Sequence, residues 1–369
     1  MASQLGIFQA SPWALALYPA VIGAKSVIEG LLSGRLSTAL HLGIARPQFS
    51  GNTKSFYKLI EAVIVLTLIT SVSMSAISLV FGHLFWGITV ADFPAILSVV
   101  VATMAIGLAL IIITVKVAFI SFKKGLDPDI MVYPVMSAVA TIFITLCYVA
   151  TLNLFFSYRD IGMWTTALLG ITHVALVLYI FPRNLRESEF IKTIRESLAA
   201  LMIVALVVNV TGTILRGIGS YVRTRGEIYT IYPALIGLVS DVGSVVGSTA
   251  TTKLALGMLK PKLSSIKNHA RSIFSAWLPS LVISVLLAAA ASLIHGNFSV
   301  AAFYNLTSVL LLANVIAVIL IVLISFGISI VAFQKGLDPG NFVIPIETAF
   351  AASITSTALL VALVLAGSV

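Results

Sequence analysis

Apolar runs of about 20 residues follow one another along this chain, each long enough to cross a hydrocarbon core of about 30 Å as a helix. Only short polar stretches separate them. Charged residues make up 9% of the total, against about 25% in a soluble domain whose surface water must solvate. So sparse a charge leaves lipid as the medium for most of the surface. The runs are rich in Leu, Ile, Val and Ala without strict alternation, which argues against a β-barrel. The predicted class is an all-α polytopic membrane protein.

Ten spans are predicted, over residues 13–42, 57–81, 95–121, 130–156, 163–181, 192–218, 232–258, 273–295, 302–332 and 341–366. The loops sort by charge. One side holds Arg46, Lys54 and Lys58; Lys123 and Lys124; Arg183, Arg186, Lys192 and Arg195; Lys260, Lys262, Lys267 and Arg271; and Lys335. The other side holds Arg159, Arg223 and Arg225 together with Asp92, Asp160 and Glu227. The positive-inside rule places the first set in the cytoplasm and both termini outside it. The net charge of +9 is read the same way, as loop charge and not as a nucleic-acid surface. The first residues lack a basic n-region, so no cleavable signal peptide is expected. The single cysteine, Cys147, lies in an apolar run and forms no internal disulfide, so it says nothing of the redox compartment.

The chain repeats itself. Tyr18 to Pro47 reads YPAVIGAKSVIEGLLSGRLSTALHLGIARP, and at a shift of 214 Tyr232 to Pro261 reads YPALIGLVSDVGSVVGSTATTKLALGMLKP. Downstream, FKKGLDPDIMVYP at 122–134 returns as FQKGLDPGNFVIP at 333–345, at a shift of 211. Two matches in the same order and nearly the same register mark a tandem duplication. Six spans separate the two copies of the first motif, so both copies run in the same direction. The expected pseudo-twofold axis therefore lies along the membrane normal, unlike that of inverted repeats. The expected units are 1–160, lacking its first helix; a connecting helix and cytoplasmic loop over 161–190; and 191–369, which has that helix at 192–218.

Charges inside spans are costly and are functional candidates by default. In the second copy Asp241, Ser244, Ser248 and Thr251 line one helical face with oxygen. In the first copy Ser26, Glu29, Ser33 and Ser37 form a similar stripe. Hard cations such as Mg²⁺ take oxygen ligands and keep several waters, which suits a hydroxyl-lined path with few carboxylates. The same helices also read as a packing seam, through Gly30 with Gly34 and Gly243 with Gly247. Lys25 stands one turn before Glu29; the two can pair, which weakens Glu29 as a cation ligand. Arg35, Lys253 and Lys116 can snorkel to the interface.

The last span of each unit opens with Gly-Leu-Asp-Pro, at Gly125 to Pro128 and Gly336 to Pro339. Gly ends the preceding helix, Asp127 and Asp338 can cap the next, and Pro fits its first turn. A second proline, Pro134 and Pro345, falls inside the membrane and frees a backbone carbonyl. Glu347 follows Pro345, whereas its first-copy counterpart is Met136, so the halves are chemically unequal. No enzyme is read here. His41, His83, His173, His269 and His295 have no metal-ligand spacing, and no phosphate loop or nucleophile elbow occurs.

These segments resemble the MgtE magnesium-transporter family in its tandem-repeat form, that of solute carrier family forty-one and its archaeal relatives. The carriers are Pro19 and Gly23; RLSTALHLG from Arg35 to Gly43; Pro233, Gly237, Asp241 and Gly243; and both Gly-Leu-Asp-Pro segments. The resemblance implies five-helix units whose second and fifth helices line a central pore, formed here by a single-chain pseudo-dimer. It implies transport of Mg²⁺ or another divalent cation across the plasma membrane, with that cation and lipid as partners and no cofactor or nucleic acid. The expected ligands are Asp241, Glu29, Glu347, Ser244, Ser248, Ser26 and Thr141. The chain departs from the family pattern in two places. The signature helix carries Val27 and Asp241 where Asn is usual. Sixteen residues after each Gly of Gly-Leu-Asp-Pro, where an Asp is usual, stand Thr141 and Ala352. Glu347 lies about 7.5 Å along the axis and about 140° around it from Ala352, so it is no simple replacement. The cytoplasmic regulatory domains of single-unit members are missing from the sequence, so their gate is not implied. The alternatives are an antiporter for another cation and a non-transporting scaffold or regulatory homologue.

Overall fold

A computed structural model describes residues 11–126, 128–221, 226–296, 299–336 and 339–366, and these are almost wholly helical. In chain order the helices are α1 (Pro12–His41), α2 (Lys54–Phe81), α3 (Phe93–Gly107), α4 (Ala109–Lys123), α5 (Pro128–Ser157) and α6 (Arg159–Asn184). They continue as α7 (Ser188–Tyr221), α8 (Gly226–Ala255), α9 (Ile266–Ile294), α10 (Val300–Gln334) and α11 (Pro339–Leu365). Among the described residues there is no strand, and nine stretches are long and apolar enough to cross a membrane. The chain is an all-α polytopic membrane protein. The sixth predicted span, 192–218, is helical within α7, where the described apolar stretch is the shorter Leu201–Leu215.

Helix ends follow the sequence signals in both copies. Gly43 and Gly257 sit just past α1 and α8 with φ of 69° and 70°, and Gly125 and Gly336 past α4 and α10 with 70° and 62°. A residue with a Cβ is strained in that left-handed region, so glycine is the natural stop. Pro128 and Pro339 open α5 and α11 at their first position, where a missing N–H costs no hydrogen bond. Asp127, Asp338, Arg223 and Arg225 lie outside the described residues. Positions 134 and 345 fall inside α5 and α11, and Pro19 and Pro233 inside α1 and α8.

The third predicted span, 95–121, departs from expectation. It is one crossing but two helices, with a tight turn at Leu108 between α3 and α4. There the Leu108 N–H reaches back only three residues, to the Ala105 carbonyl at 3.1 Å. Gly107 at the break lies against neighbours: a Cβ there would stand 2.8 Å from Ile144 Cδ1 and 3.5 Å from Lys25 Cε. In the second copy the counterpart helix α10 runs unbroken for 35 residues.

The described helices form two compact units that divide between Asn209 and Val210. In the first, α1 is the core: its apolar stretch is 89% buried, against 17% for that of α6. Helix α1 packs on α5, α2 and α4, while α6 packs on α3, α5 and α2 and turns Trp164, Leu168, Ile171 and Leu178 outward, as contact with lipid requires. The part of α7 in this unit is held by Val208, which fills the notch at Gly23, and by an Asn209 carbonyl that accepts from Ser78 at 2.6 Å. In the second unit α8 packs on α10, α11 and α9. Asn314 of α10 ties α9 in place, accepting from Trp277 at 3.0 Å and donating to Ser280 and Ser284. The two copies share a further tie between signature and last helix: Tyr18 with Thr145 at 2.9 Å, and Tyr232 with Ser356 at 2.7 Å.

The glycine seam expected on the signature helices is formed in the second copy. Ser325 and Ser329 of α10 donate to the carbonyls of Gly243 and Gly247 at 2.6 and 3.1 Å. A Cβ on Gly247 would stand 2.7 Å from Val343 Cγ1, whereas Gly34 and Gly237 face open space. Small residues of this kind let helix backbones approach where no hydrophobic force draws them together in lipid. Gly247→Val should therefore lower stability by about 1–3 kcal/mol, the usual cost of overpacking, while Gly237→Ala leaves it unchanged or raised. Thermal unfolding of the two variants in detergent checks this.

Among the described residues an ion pair outside the predicted spans runs from Lys54 at the start of α2 to Glu187 before α7, at 2.8 Å. The hydrogen bond from Lys54 holds the Glu187 carboxyl below its ordinary range. A depressed carboxylate stabilises the fold above its unfolded pKa, and the gain disappears as pH falls through the folded value. Both groups are solvated, so the effect is small and salt-screened. Glu187→Gln should cost a little stability at neutral pH and low salt, and nothing at a pH below the usual carboxylate range, as pH-dependent melting would show.

Candidate functional site

Two acids of the spans are buried, as is the lysine beside one of them. Glu29 is 2% exposed and Glu347 is fully buried, in units that lipid surrounds. A carboxylate has only acceptor oxygens and cannot satisfy itself on its own helix, as the serines and threonines here do. Its partners must come from elsewhere.

In the second unit the acids stand on two helices that pack together, α8 and α11. Glu347 Oε2 accepts from Ser244 Oγ at 2.7 Å. Its carboxyl lies over Gly243, where a Cβ would stand 2.8 Å from Glu347 Cδ. Ser240 and Thr348 stand beside the same carboxyl, their hydroxyls 3.4 Å apart. Asp241 is within electrostatic range of Glu347. Glu347 Oε1 and Asp241 Oδ1 are both shielded from the surface and accept no hydrogen bond. Among the described residues neither acid forms an ion pair. The result is a buried Glu347 carboxyl set among three hydroxyls, with Asp241 near enough on α8 to act on it electrostatically.

In the first unit Glu29 is neutralised. Lys25, fully buried one turn earlier, places Nζ 2.7 Å from Oε1, and Thr114 of α4 donates to Oε2 at 2.5 Å. The pairing that the sequence left open is formed.

The remaining predicted ligands are placed elsewhere. Ser248 is exposed and donates to its own helix at the Val245 carbonyl, and Thr251 does the same to Gly247. Ser26 is half-buried on α1, and Ser33 and Ser37 are buried with hydroxyls that find no hydrogen-bond partner. Thr141 is half-buried on α5, its carbonyl accepting from Thr145. Ala352, at the position usually acidic, is buried. Two of the expected snorkelling side chains turn inward: Arg35 donates to Thr193 at 2.6 Å, and Lys253 to Ser272 at 2.7 Å. Each finds a polar partner within its bundle, which removes the reason to seek the interface. Lys116 is exposed on α4.

Sequence reasoning passed over Ser240, Thr348 and Thr114. Ser240 was legible, since it lies one turn before Ser244 and therefore on its face. Thr348 and Thr114 were not, because each depends on which helix lies opposite. Among the described residues no three of His, Cys, Asp and Glu gather into a metal cluster. Two carboxylates with hydroxyls and retained water still suit Mg²⁺, which is rarely held in all-protein cages.

No curated protein and no solved structure matches the chain significantly. The family model described as MgtE, divalent cation transporter, matches it twice, over residues 18–151 and 232–363. Those two stretches cover well over half the chain and coincide with the two copies of the repeat, from Tyr18 and from Tyr232. The protein therefore belongs to the MgtE family of divalent cation transporters, as a tandem duplication of that family's unit.

Proposed function

We propose that this chain carries divalent cations, Mg²⁺ foremost, along a path between its two repeats, walled by α1, α5, α8 and α11. The observation that supports this is the pair of shielded, unpartnered oxygens on Asp241 and Glu347, two acids near enough to act on each other electrostatically. Burying a carboxylate without a partner is strongly unfavourable, so such a pair is best understood as held for a positive ligand. A hydrated Mg²⁺ accepts one or two carboxylates directly and spends its waters on hydroxyls such as those of Ser240, Ser244 and Thr348. Ser26, Ser248 and Thr141 we take as wall positions that meet the ion's water. The chain works in this reading as a single-chain pseudo-dimer in the plasma membrane. The basic loops face the cytoplasm and both termini face away from it. We take α7 as the leading helix of the second repeat, over 191–369, with 1–160 as the first repeat and 161–190 as connector.

Purified protein in liposomes loaded with a Mg²⁺-sensitive dye tests this. The Asp241→Asn/Glu347→Gln protein should elute as the wild type does from size-exclusion chromatography yet carry Mg²⁺ at least tenfold more slowly. Flux that needs an opposing H⁺ or Na⁺ gradient would make the chain an antiporter. Equal flux in both proteins overturns the assignment of these two acids.

A further inference from the structure

The two repeats deliver a buried carboxylate to corresponding places from different helices. Glu29 on α1 corresponds, at the 214-residue shift, to Gly243 on α8. Glu347 on α11 corresponds, at the 211-residue shift, to Met136 on α5. Where the first copy has a glutamate, the second has a glycine, and the glutamate of the facing helix fills the space that the glycine leaves. Glu347 Cδ lies 2.8 Å from where the Gly243 Cβ would be, comparable to the reach of a glutamate's carboxyl carbon from its own Cβ. The surroundings correspond as well. Thr114, which donates to Glu29, is the counterpart of Ser325, which donates to the Gly243 carbonyl. Met136 is fully buried on α5, as Glu347 is on α11.

The surroundings differ in two charges. Lys25 corresponds to Val239 and Asp241 to Val27. The first copy thus adds a cation to its acid where the second adds another acid. Lys25 is fully buried, its Nζ 2.7 Å from Glu29 Oε1, and no described acid other than Glu29 pairs with it. The lysine stem runs beside the break between α3 and α4, where a Cβ on Gly107 would stand in ordinary contact with Lys25 Cε at 3.5 Å.

We infer that Lys25 is a built-in cation: its ammonium occupies, at the Glu29 carboxylate of the first repeat, the place corresponding to the one that receives a divalent ion at Glu347 in the second. The chain then binds one ion at this level where two identical repeats would bind two. Removing the ammonium opens a second, divalent-cation site made of Glu29 and Thr114. The inference rests on the proposed function for what the second repeat binds, but its test does not. An ammonium and a hydrated divalent ion both offer positive charge and donor hydrogens to a buried carboxylate, which is why one can stand in for the other.

The experiment measures the Mg²⁺-dependent rise in melting midpoint, since a ligand stabilises only the state that binds it. It is read in a chain silenced at the second repeat by Asp241→Asn and Glu347→Gln. Comparison of wild type with this silenced chain alone tests the second-repeat site. Adding Lys25→Met to the silenced chain should restore a rise of several degrees in millimolar MgCl₂, and adding Glu29→Gln as well should abolish it. No rise with Lys25→Met, or a rise that survives Glu29→Gln, overturns the inference. So does a Lys25→Met chain that stays unfolded with Mg²⁺ while Lys25→Met/Glu29→Gln folds, because a free ion then cannot replace the ammonium. Should the silencing changes themselves prevent folding, equilibrium dialysis on an unaltered second repeat reads the same contrast. Lys25→Met should then bind one more Mg²⁺ per chain than wild type, and Lys25→Met/Glu29→Gln the same number as wild type; equal binding by all three overturns it.

Discussion

A polar group inside these helical units has no water to turn to, and the structure is organised around that shortage. Backbone groups are satisfied within each helix, as a membrane demands. Buried hydroxyls follow the same economy by donating one turn back on their own helix: Thr67 to Val63, Ser71 to Thr67 and Ser75 to Ser71 on α2, and Ser284 to Ser280 on α9. A hydroxyl can do this because it carries both a donor and acceptors. A carboxylate cannot, so each buried acid calls for a neighbouring group, an ion or a proton. That constraint sets Glu29, Asp241 and Glu347 apart in a chain in which hydroxyls are far more numerous.

Duplication supplied the same scaffold twice, and the scaffold has been kept more strictly than the chemistry. The tyrosine tie between signature and last helix recurs, Tyr18 to Thr145 and Tyr232 to Ser356, as do the left-handed glycines that end α1, α4, α8 and α10. These features fix helix ends and helix pairings, and any loss would disturb packing throughout a unit. The acids are free of that restraint. A carboxylate can reach one place from either of two packed helices, provided the facing position is small, and the Glu29/Met136 and Gly243/Glu347 combinations are two ways of meeting that condition. The first unit balances its acid with Lys25. In the second, neither acid forms an ion pair among the described residues, so the halves are chemically unequal.

The interrupted third crossing of the first unit belongs to the same difference. Helix α10 runs straight past Gly243 and Gly247, with Ser325 and Ser329 donating to their carbonyls. Its counterpart breaks at Leu108 as it passes a buried lysine, and resumes in α4 in time to offer Thr114 to Glu29. The seam that receives the Glu347 carboxyl at Gly243 in one copy accommodates a charge pair in the other.

The sequence by itself determined the class, the helices and the duplication, because these rest on properties local to a segment. Apolar length decides what spans a bilayer, a glycine followed by proline decides where α4 and α10 stop and α5 and α11 begin, and a shift of 211 to 214 residues exposes the repeat without any coordinates. It also picked out the three acids, since a charge in an apolar run is conspicuous wherever it points. What it could not determine was which of them are neutralised. Lys25 next to Glu29 at one-turn spacing allowed a pair but did not require one. Glu347 and Asp241, more than a hundred residues apart in sequence, gave no sign that they come within electrostatic range of each other. Nor did spacing distinguish Ser244, which meets Glu347, from Ser248, which turns outward to its own helix. Those outcomes depend on the rotation of each helix about its axis and on the residue facing it, and only the packing of α1 against α4 and of α8 against α11 sets them.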